Sequence, residues 1–142
     1  MVLMDMEAEE RVRRDDRAHV FHSWSAQSKI NPMPVAGGEG CEFFDFEGKR
    51  YLDFASQLVY TNLGHQHPKV VAAIKEQADR LCVIQPSFAN ERSSELARML
   101  AELAPGDLNM AFFTNGGAEA NENAIRLARE ATGRHKILSA YR

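Results

Sequence analysis

The sequence predicts an α/β fold, with a small N-terminal α+β lobe followed by the start of a mostly parallel sheet with flanking helices. Aromatic-rich runs in "CEFFDFEGKRYLDF" are typical of an antiparallel hairpin. Apolar residues then recur at helical spacing along two successive segments. Finally, an apolar run, a periodic segment and a second apolar run follow one another within roughly thirty residues, which is the length of a βαβ unit. The strands of such a unit are parallel and its crossover is right-handed.

Composition indicates one folded, water-soluble domain. The chain has 142 residues, of which 44% are hydrophobic and 26% charged. Its formal net charge is −3 and its basic residues are scattered, so neither nucleic acid nor an anionic membrane is an expected partner. The N-terminus lacks the apolar core of a signal peptide, and the two cysteines form no Cys-x-x-Cys pair. We expect a cytoplasmic protein.

The first element is a polar segment, residues 1–29, that we expect to be helical in part. Trp24 is either the packing anchor of this segment or a lid over a substrate entrance, and the anchor is favoured because a single large aromatic in a polar segment is usually its packing point. Residues 31–40, "NPMPVAGGEG", are rich in Pro and Gly, which predicts an extended connector.

The hairpin comes next, with its turn at Gly48. Asp45 and Asp53 flank its strands. They are expected to cap turns and face solvent rather than to act as a paired acid and base. The pair His65 and His67 invites a metal interpretation, but no cysteine or carboxylate cluster with ligand spacing accompanies it, so we favour a turn and predict no metal site.

Two helices follow the hairpin. The first begins at Pro68, which suits the first position of a helix because it lacks an N–H group. The second begins after Asn90, a good N-cap residue, and stops at Pro105-Gly106. Each carries apolar residues on one face, which indicates helices that cover a sheet.

The βαβ unit closes the chain. Residues 110–114, "MAFFT", predict a buried strand, and the third helix ends where Gly133 suits a left-handed cap. Residues 136–141, "KILSAY", predict the next strand. We therefore expect a parallel pair with the third helix as its crossover.

A glycine joint connects that strand to that helix, in "FFTNGGAEANENAIRLARE". The amides of Gly116, Gly117 and Ala118 would open the helix at the carboxyl end of a parallel strand, where an anion is stabilised by unpaired N–H groups and the helix dipole. The alternative is an ordinary strand-to-helix turn, with Glu119 and Glu122 as first-turn acids. Two adjacent glycines match neither the Walker nor the dinucleotide fingerprint, so spacing alone favours the turn and leaves the phosphate cradle open.

The joint resembles the phosphate-cup motif of class III pyridoxal-phosphate aminotransferases, "FxNSGxEANExAIKLAR", which reads "FTNGGAEANENAIRLAR" in this chain. The likeness continues in "EGKRYLDF", "NLGHQHPKVVAAIKEQ", "SSELARMLAELAP" and "TGRHKILSAYR". It implies a pyridoxal-phosphate-dependent transferase of fold type I. Such an enzyme is a homodimer that moves an amino group from an amine or ω-amino acid to a keto acid such as pyruvate.

The resemblance also assigns site residues. Gly116 stands where the family often has Ser, and Gly117 and Ala118 complete the cup that holds pyridoxal 5'-phosphate. Val59 and Tyr60 lie in the loop that places an aromatic side chain over the substrate, although the family's common Trp is replaced by Val59. Phe88 matches a segment that reaches toward the substrate, partly in the partner subunit's site.

No catalytic residue of the family is expected in this chain. The tyrosine that stacks on the coenzyme follows the position of Arg142 in relatives, the catalytic Asp and Schiff-base Lys come later still, and none of the lysines here has matching surroundings. We therefore expect an N-terminal part, inactive alone. Residues 1–68 would form the N-terminal segment and small-domain lobe, and residues 69–142 the truncated beginning of the large cofactor-binding domain. The rival hypothesis is a non-catalytic chain of the same fold that binds a phosphorylated ligand or pairs with a complete subunit.

Overall fold

A computed structural model describes residues 6–140, which divide into two compact units between Cys82 and Val83. The first unit contains a long helix, a small sheet, a one-turn helix and a second long helix, and the second unit contains two helices. In chain order the elements are α1 (Met6–His19), β1 (Gly37–Glu39), β2 (Glu42–Phe44), β3 (Arg50–Leu52), α2 (Ser56–Val59), α3 (Pro68–Arg80), α4 (Glu91–Leu103) and α5 (Gly117–Thr132).

Helix α1 confirms the prediction of a partly helical N-terminal segment. Arg17, in its last turn, donates to the carbonyls of Gln27 at 2.9 Å and Ile30 at 3.0 Å, which folds the following segment back along the helix. Trp24 takes no part in this arrangement, because it is 95% exposed. The packing predicted for Trp24 therefore does not occur within residues 6–140.

The sheet is antiparallel, with the strand order β1-β2-β3. Phe43 lies opposite Tyr51 and the two rings stack with their centroids 5.4 Å apart. The turn between β2 and β3 places Gly48 at a φ of 81°, which favours glycine, and Asp45 accepts hydrogen bonds from Glu47 N, Lys49 N and Tyr51 Oη. The predicted hairpin and the turn-capping role of Asp45 are confirmed. Strand β1, within the predicted connector, adds an edge strand.

The three predicted helices are confirmed as α3, α4 and α5. Pro68 is the first residue of α3. The side chain of Asn90 caps α4 by accepting from the next amides, including Arg92 N at 2.9 Å, and α4 ends before Pro105. Helix α5 ends at Gly133, whose φ of 67° gives the left-handed cap that the sequence predicts.

The predicted parallel strand pair is not formed by the described residues. Residues 110–114 and 136–140 are neither helical nor paired in a ladder, and Tyr141 lies outside the described range. A strand exists only with a neighbour to share its hydrogen bonds, and βαβ strands are often separated by strands from elsewhere in the fold. Both segments are apolar but exposed to solvent. Met110, for example, is 92% exposed and Leu138 is 96% exposed.

The apolar faces of the helices are likewise uncovered. Ala8 is the only buried hydrophobic residue among residues 6–140, while Leu103 is 82% exposed and Ile74 is 63% exposed. The amphipathic pattern is therefore present without a packed core beneath it. The predicted domain boundary at residues 68 and 69 concerns the domains of a whole enzyme and stays a prediction.

In the part of the chain from residue 6 to residue 140, no helix combines the length and apolar character that crossing a membrane requires.

Candidate functional site

The N-terminus of α5 presents unpaired amides. Gly116 is the N-cap residue in an extended conformation, with φ −164° and ψ 167°, and the first helical hydrogen bond runs from Ala120 N to Gly116 O at 3.0 Å. Within residues 6–140, no acceptor is bound by the N–H groups of Gly116, Gly117 and Ala118. Because the helix dipole places partial positive charge at this end, the three amides favour an anion.

The acidic residues of the first turns leave these amides open. Glu119 turns back and accepts a hydrogen bond from Asn115 N at 3.0 Å, one residue before the N-cap. Glu122 instead pairs with Arg126 at 3.5 Å, one turn further along α5. In the alternative interpretation the joint is a plain turn, and acidic side chains stabilise the helix N-terminus. Of the amides near this terminus, only Asn115 N is bound by one of these acids.

Neither glycine of the joint is required by the fold. A Cβ atom added to Gly116 or Gly117 would meet no atom of residues 6–140 within 4 Å. Gly116 has a φ of −164°, which any residue adopts, so backbone strain does not select glycine there. What the missing Cβ atoms provide is open space directly over three unpaired amides, and this arrangement fits a phosphate group.

The loop after β3 contains a left-handed turn that the sequence analysis missed. All four residues of α2, Ser56–Val59, have positive φ angles, from 46° at Ser56 to 71° at Val59. Left-handed backbone costs about 1–2 kcal/mol for each residue with a Cβ atom. None of the four residues is glycine or asparagine, the usual signals of this conformation, so the sequence contains no local sign of it.

Asp53 organises this turn. Its carboxylate accepts hydrogen bonds from Gln57 N at 3.3 Å, Gln57 Nε2 at 3.1 Å and Thr61 Oγ1 at 3.5 Å, and it pairs with His65 Nε2 at 2.7 Å. We call Asp53, Gln57, Thr61 and His65 the Asp53 cluster. The side chain of Asp53 is only 5% exposed. The prediction that Asp53 faces solvent is therefore wrong, because polar groups from the following loop enclose it.

The charge of Asp53 is stabilised by these contacts. Burial acts to raise the pKa of the Asp53 carboxyl, but the hydrogen bonds from His65 and Gln57 outweigh burial and hold the pKa below its ordinary value of 3.8. Asp53 is therefore an anion at neutral pH, and its protonation would weaken each bond that it accepts.

Glycines admit His65 to this position. A Cβ atom on Gly38 would lie 2.8 Å from His65 Cγ, so only glycine leaves room for the imidazole against the sheet. The backbone of His65 also pairs with Gly40, through hydrogen bonds of 2.7 and 3.0 Å. His65 is thus held by the sheet on one side and by Asp53 on the other.

The two histidines weighed as metal ligands have separate places. His65 belongs to the Asp53 cluster, whereas His67 is the N-cap residue of α3. No group of three side chains within residues 6–140 is arranged to hold a metal ion. The expectation that the two histidines bind no metal stays a prediction.

The residues assigned to a substrate pocket lie on both units. In the first unit, Val59 and Tyr60 follow each other at the end of the left-handed turn, and each is 74% exposed. Tyr60 borders an open cavity of about 270 Å³, together with residues from the loop and α3. His67 also lines this cavity, and its buried Nδ1 atom has no hydrogen-bond partner among the described residues. In the second unit, Phe88 closes a turn on Gln85 and is 62% exposed.

Comparison with known proteins identifies the family. The family model described as "Aminotransferase class-III" matches residues 24–141, so the chain belongs to the class III aminotransferases. Acetylornithine aminotransferase of Methanopyrus kandleri is 45% identical over 108 residues, which is 76% of this chain and 28% of the relative. A probable 4-aminobutyrate aminotransferase of Bacillus subtilis is 45% identical over 116 residues, 79% of this chain and 26% of the relative.

Solved structures agree with this assignment. The taurine:2-oxoglutarate aminotransferase of Bifidobacterium kashiwanohense, crystallised with PLP and glutamate, superposes with a TM-score of 0.84 at 46% identity, over 89% of this chain and 28% of that chain. An S-selective transaminase from Arthrobacter sp. with alanine bound gives a TM-score of 0.80 at 34% identity, over 88% and 28%. The predicted fold class, part of the fold type I architecture, is confirmed. The chain spans less than a third of the length of these relatives.

Proposed function

We propose that this chain serves a pyridoxal-phosphate-dependent transaminase, in which the N-terminus of α5 binds the phosphate of the coenzyme. The observation that carries the proposal is the set of unpaired amides at Gly116, Gly117 and Ala118, with open space over both glycines. Membership of the class III family and the PLP in a structural relative support the choice of this coenzyme over other phosphorylated ligands.

The role of the chain in the reaction is to anchor and orient the coenzyme. Amide N–H groups at a helix N-terminus bind a phosphate dianion without a cationic side chain, and they fix its position because they belong to the backbone. Glu119 keeps its carboxylate on Asn115 N, which leaves those amides to the ligand. When bound, pyridoxal phosphate supplies an electron-withdrawing ring that makes transfer of the amino group feasible.

The substrate side of the site is proposed to include Val59, Tyr60 and Phe88. Val59 is small where the family commonly has Trp, so the pocket would be wider at that point. We propose an amine or ω-amino acid as the donor and a keto acid such as pyruvate as the acceptor. The names of the relatives support the donor class, since acetylornithine, 4-aminobutyrate and taurine each carry a primary amino group at the end of the chain opposite the acid group.

The enzyme is further proposed to be a cytoplasmic homodimer with active sites at the subunit interface. The uncovered apolar faces of the helices would be covered by other parts of the protein or by a partner subunit, since contiguous exposed apolar surface marks interaction sites. Phe88 would then approach the partner subunit's site.

The test assays the gene product that carries this chain with every combination of several amino donors and two keto-acid acceptors. It would be incubated with pyridoxal phosphate and 4-aminobutyrate, N-acetylornithine or taurine, each with pyruvate or 2-oxoglutarate, and alanine or glutamate would be measured. The proposal expects product only when donor and keto acid are both present. Binding of pyridoxal phosphate without any amino transfer would favour the non-catalytic alternative, and reaction of the donor without a keto acid would indicate a mutase or decarboxylase.

A further inference from the structure

We propose that the Asp53 cluster is a positioning site, which holds the left-handed turn of α2 in place and so sets where Val59 and Tyr60 stand against the substrate. This inference rests on the proposed transaminase function. It assigns no chemical step to Asp53, which would act through the turn and not on the reacting atoms.

The first argument is the way in which Asp53 connects two elements. Its backbone N–H donates to Cys41 O at 2.8 Å, in the turn that joins β1 to β2. Its carboxylate receives both the backbone N–H and the side-chain amide of Gln57, inside α2. Asp53 therefore connects the sheet, through its backbone N–H, to the left-handed turn, through its carboxylate.

The second argument is the cost of the turn. Four consecutive non-glycine residues with positive φ persist only where surrounding contacts over-determine them, and Val59, with its β-branched side chain, suits this region least. The backbone bonds of the turn, from Val59 N to Ala55 O and from Tyr60 N to Ser56 O, have an ordinary length of 3.0 Å each and add no unusual stabilisation. Among the polar side chains of the described residues, the contacts that bind α2 from outside converge on Asp53.

The third argument is the fixed position of His65. The imidazole lies against Gly38 with no room for a Cβ atom, and the His65 backbone pairs with Gly40. Gly64 makes this approach possible, because its φ is 82° and a Cβ atom there would lie 2.8 Å from Gly40 O. His65, held in this way by the sheet, thus fixes the carboxylate of Asp53 through the contact of 2.7 Å from its Nε2 atom.

The Asp53 cluster holds a turn that leads into residues proposed to contact the substrate, so it can affect which substrate is selected. Val59 is the last of the strained residues and Tyr60 directly follows it, and each of the two is 74% exposed. A displacement of about 1 Å in a group that positions a substrate can cost on the order of a hundredfold in rate. Loss of the cluster should therefore alter selectivity among donors more than it alters binding of the coenzyme phosphate.

The experiment compares Asp53→Asn with Asp45→Asn in the gene product that carries this chain. Asp45 is a matched control, because its carboxylate also accepts several hydrogen bonds, from two backbone N–H groups and one side chain, but in the hairpin turn. For Asp53→Asn we expect the ratio of kcat/KM between a small and a bulky amino donor to change by about tenfold. The dissociation constant of pyridoxal phosphate should stay within about twofold, and Asp45→Asn should leave the donor ratio unchanged.

A local measurement separates this inference from the proposed function. Hydrogen–deuterium exchange of the peptide spanning residues 54–64 should become about tenfold faster in Asp53→Asn and stay unchanged in Asp45→Asn, because loss of a charged acceptor frees the turn. If the wild-type protein transfers no amino group but shows this difference, the proposed function fails while the structural part of the inference stands. Equal exchange in both variants overturns the inference whatever the activity.

Two further variants keep the test decisive if Asp53→Asn folds poorly. Gln57→Ala removes one side-chain bond to Asp53 without leaving a buried charge uncompensated, and it should shift the donor ratio in the same direction by a smaller factor. Leu58→Gly relieves the steric cost at a φ of 61°, so adding it to Asp53→Asn should restore part of the selectivity. A normal donor ratio in folded Gln57→Ala and Asp53→Asn proteins would refute the positioning role.

Discussion

The substitution Gly117→Ala should strengthen the fold and weaken the coenzyme site at the same time. A Cβ atom at Gly117 meets no atom of the described residues within 4 Å, and Gly117 begins α5, so the protein gains an alanine in a helix without a clash among those residues. Replacing glycine by alanine where the backbone permits it stabilises a protein by about 0.4–1 kcal/mol, chiefly by restricting the unfolded chain. The same Cβ atom would enter the space over the open amides.

The expected loss of affinity follows from the amides that the phosphate would no longer reach. One hydrogen bond to a charged group contributes about 1.5–3 kcal/mol, and each 1.4 kcal/mol is a factor of ten in the dissociation constant. Gly117→Ala should therefore raise the dissociation constant of pyridoxal phosphate by about ten- to a hundredfold. Titration followed by absorbance of the bound coenzyme measures this change, and thermal unfolding of the coenzyme-free protein measures the stability.

The control is the same substitution at the other end of the same helix. Gly133 has a φ of 67°, where a Cβ atom costs about 1–2 kcal/mol, so Gly133→Ala should destabilise the protein without a direct effect on coenzyme affinity. The two variants have opposite expected signs in stability, and only Gly117→Ala is expected to weaken coenzyme binding. A Gly117→Ala protein that binds pyridoxal phosphate as tightly as the wild type would refute the assignment of the phosphate to α5.

Further predictions concern the cap, the cluster and the pocket. Asn90→Ala should lower the free energy of unfolding by about 0.5–2 kcal/mol, because α4 loses its side-chain cap, and Asn90→Asp should restore it in chemical denaturation. Gly38→Ala should displace the His65 ring, whose Cγ atom would lie 2.8 Å from the new Cβ, and should accelerate amide exchange in the loop after β3. Because the folded-state pKa of Asp53 lies below its unfolded value, its stabilising contribution is complete above about pH 4 and is lost as pH falls through the folded-state pKa. Asp53→Asn should therefore flatten the acid limb of a stability–pH curve. Val59→Trp should narrow the pocket and lower kcat/KM for bulky amines by about tenfold or more.

Each of these predictions has an outcome that contradicts it. Equal stability of Asn90→Ala and wild type would mean that the cap is dispensable. Unchanged exchange in Gly38→Ala would show that the ring has room elsewhere. An acid limb as steep in Asp53→Asn as in wild type would assign the pH dependence to other carboxyls, and retained activity of Val59→Trp on bulky amines would place the substrate away from residue 59.

Local structure was predictable because its causes are local. Helix α3 begins at Pro68, α4 is capped by Asn90, and α5 ends at Gly133, as the chemistry of each residue requires. The hairpin likewise follows from the aromatic-rich runs on either side of Gly48. The three residues of the phosphate cup were proposed from a motif resemblance, and their open amides follow from the geometry of any helix N-terminus.

What the sequence by itself determined about this protein is therefore the identity and ends of its helices, its hairpin and its family. Only the tertiary structure decided the burial of Asp53 and the conformation of Ser56–Val59. A buried carboxylate and a strained turn depend on groups that come together from separate positions in the chain. The paired strands expected at residues 110–114 and 136–140 illustrate the same limit, since a ladder needs a partner that the pattern of one segment does not contain.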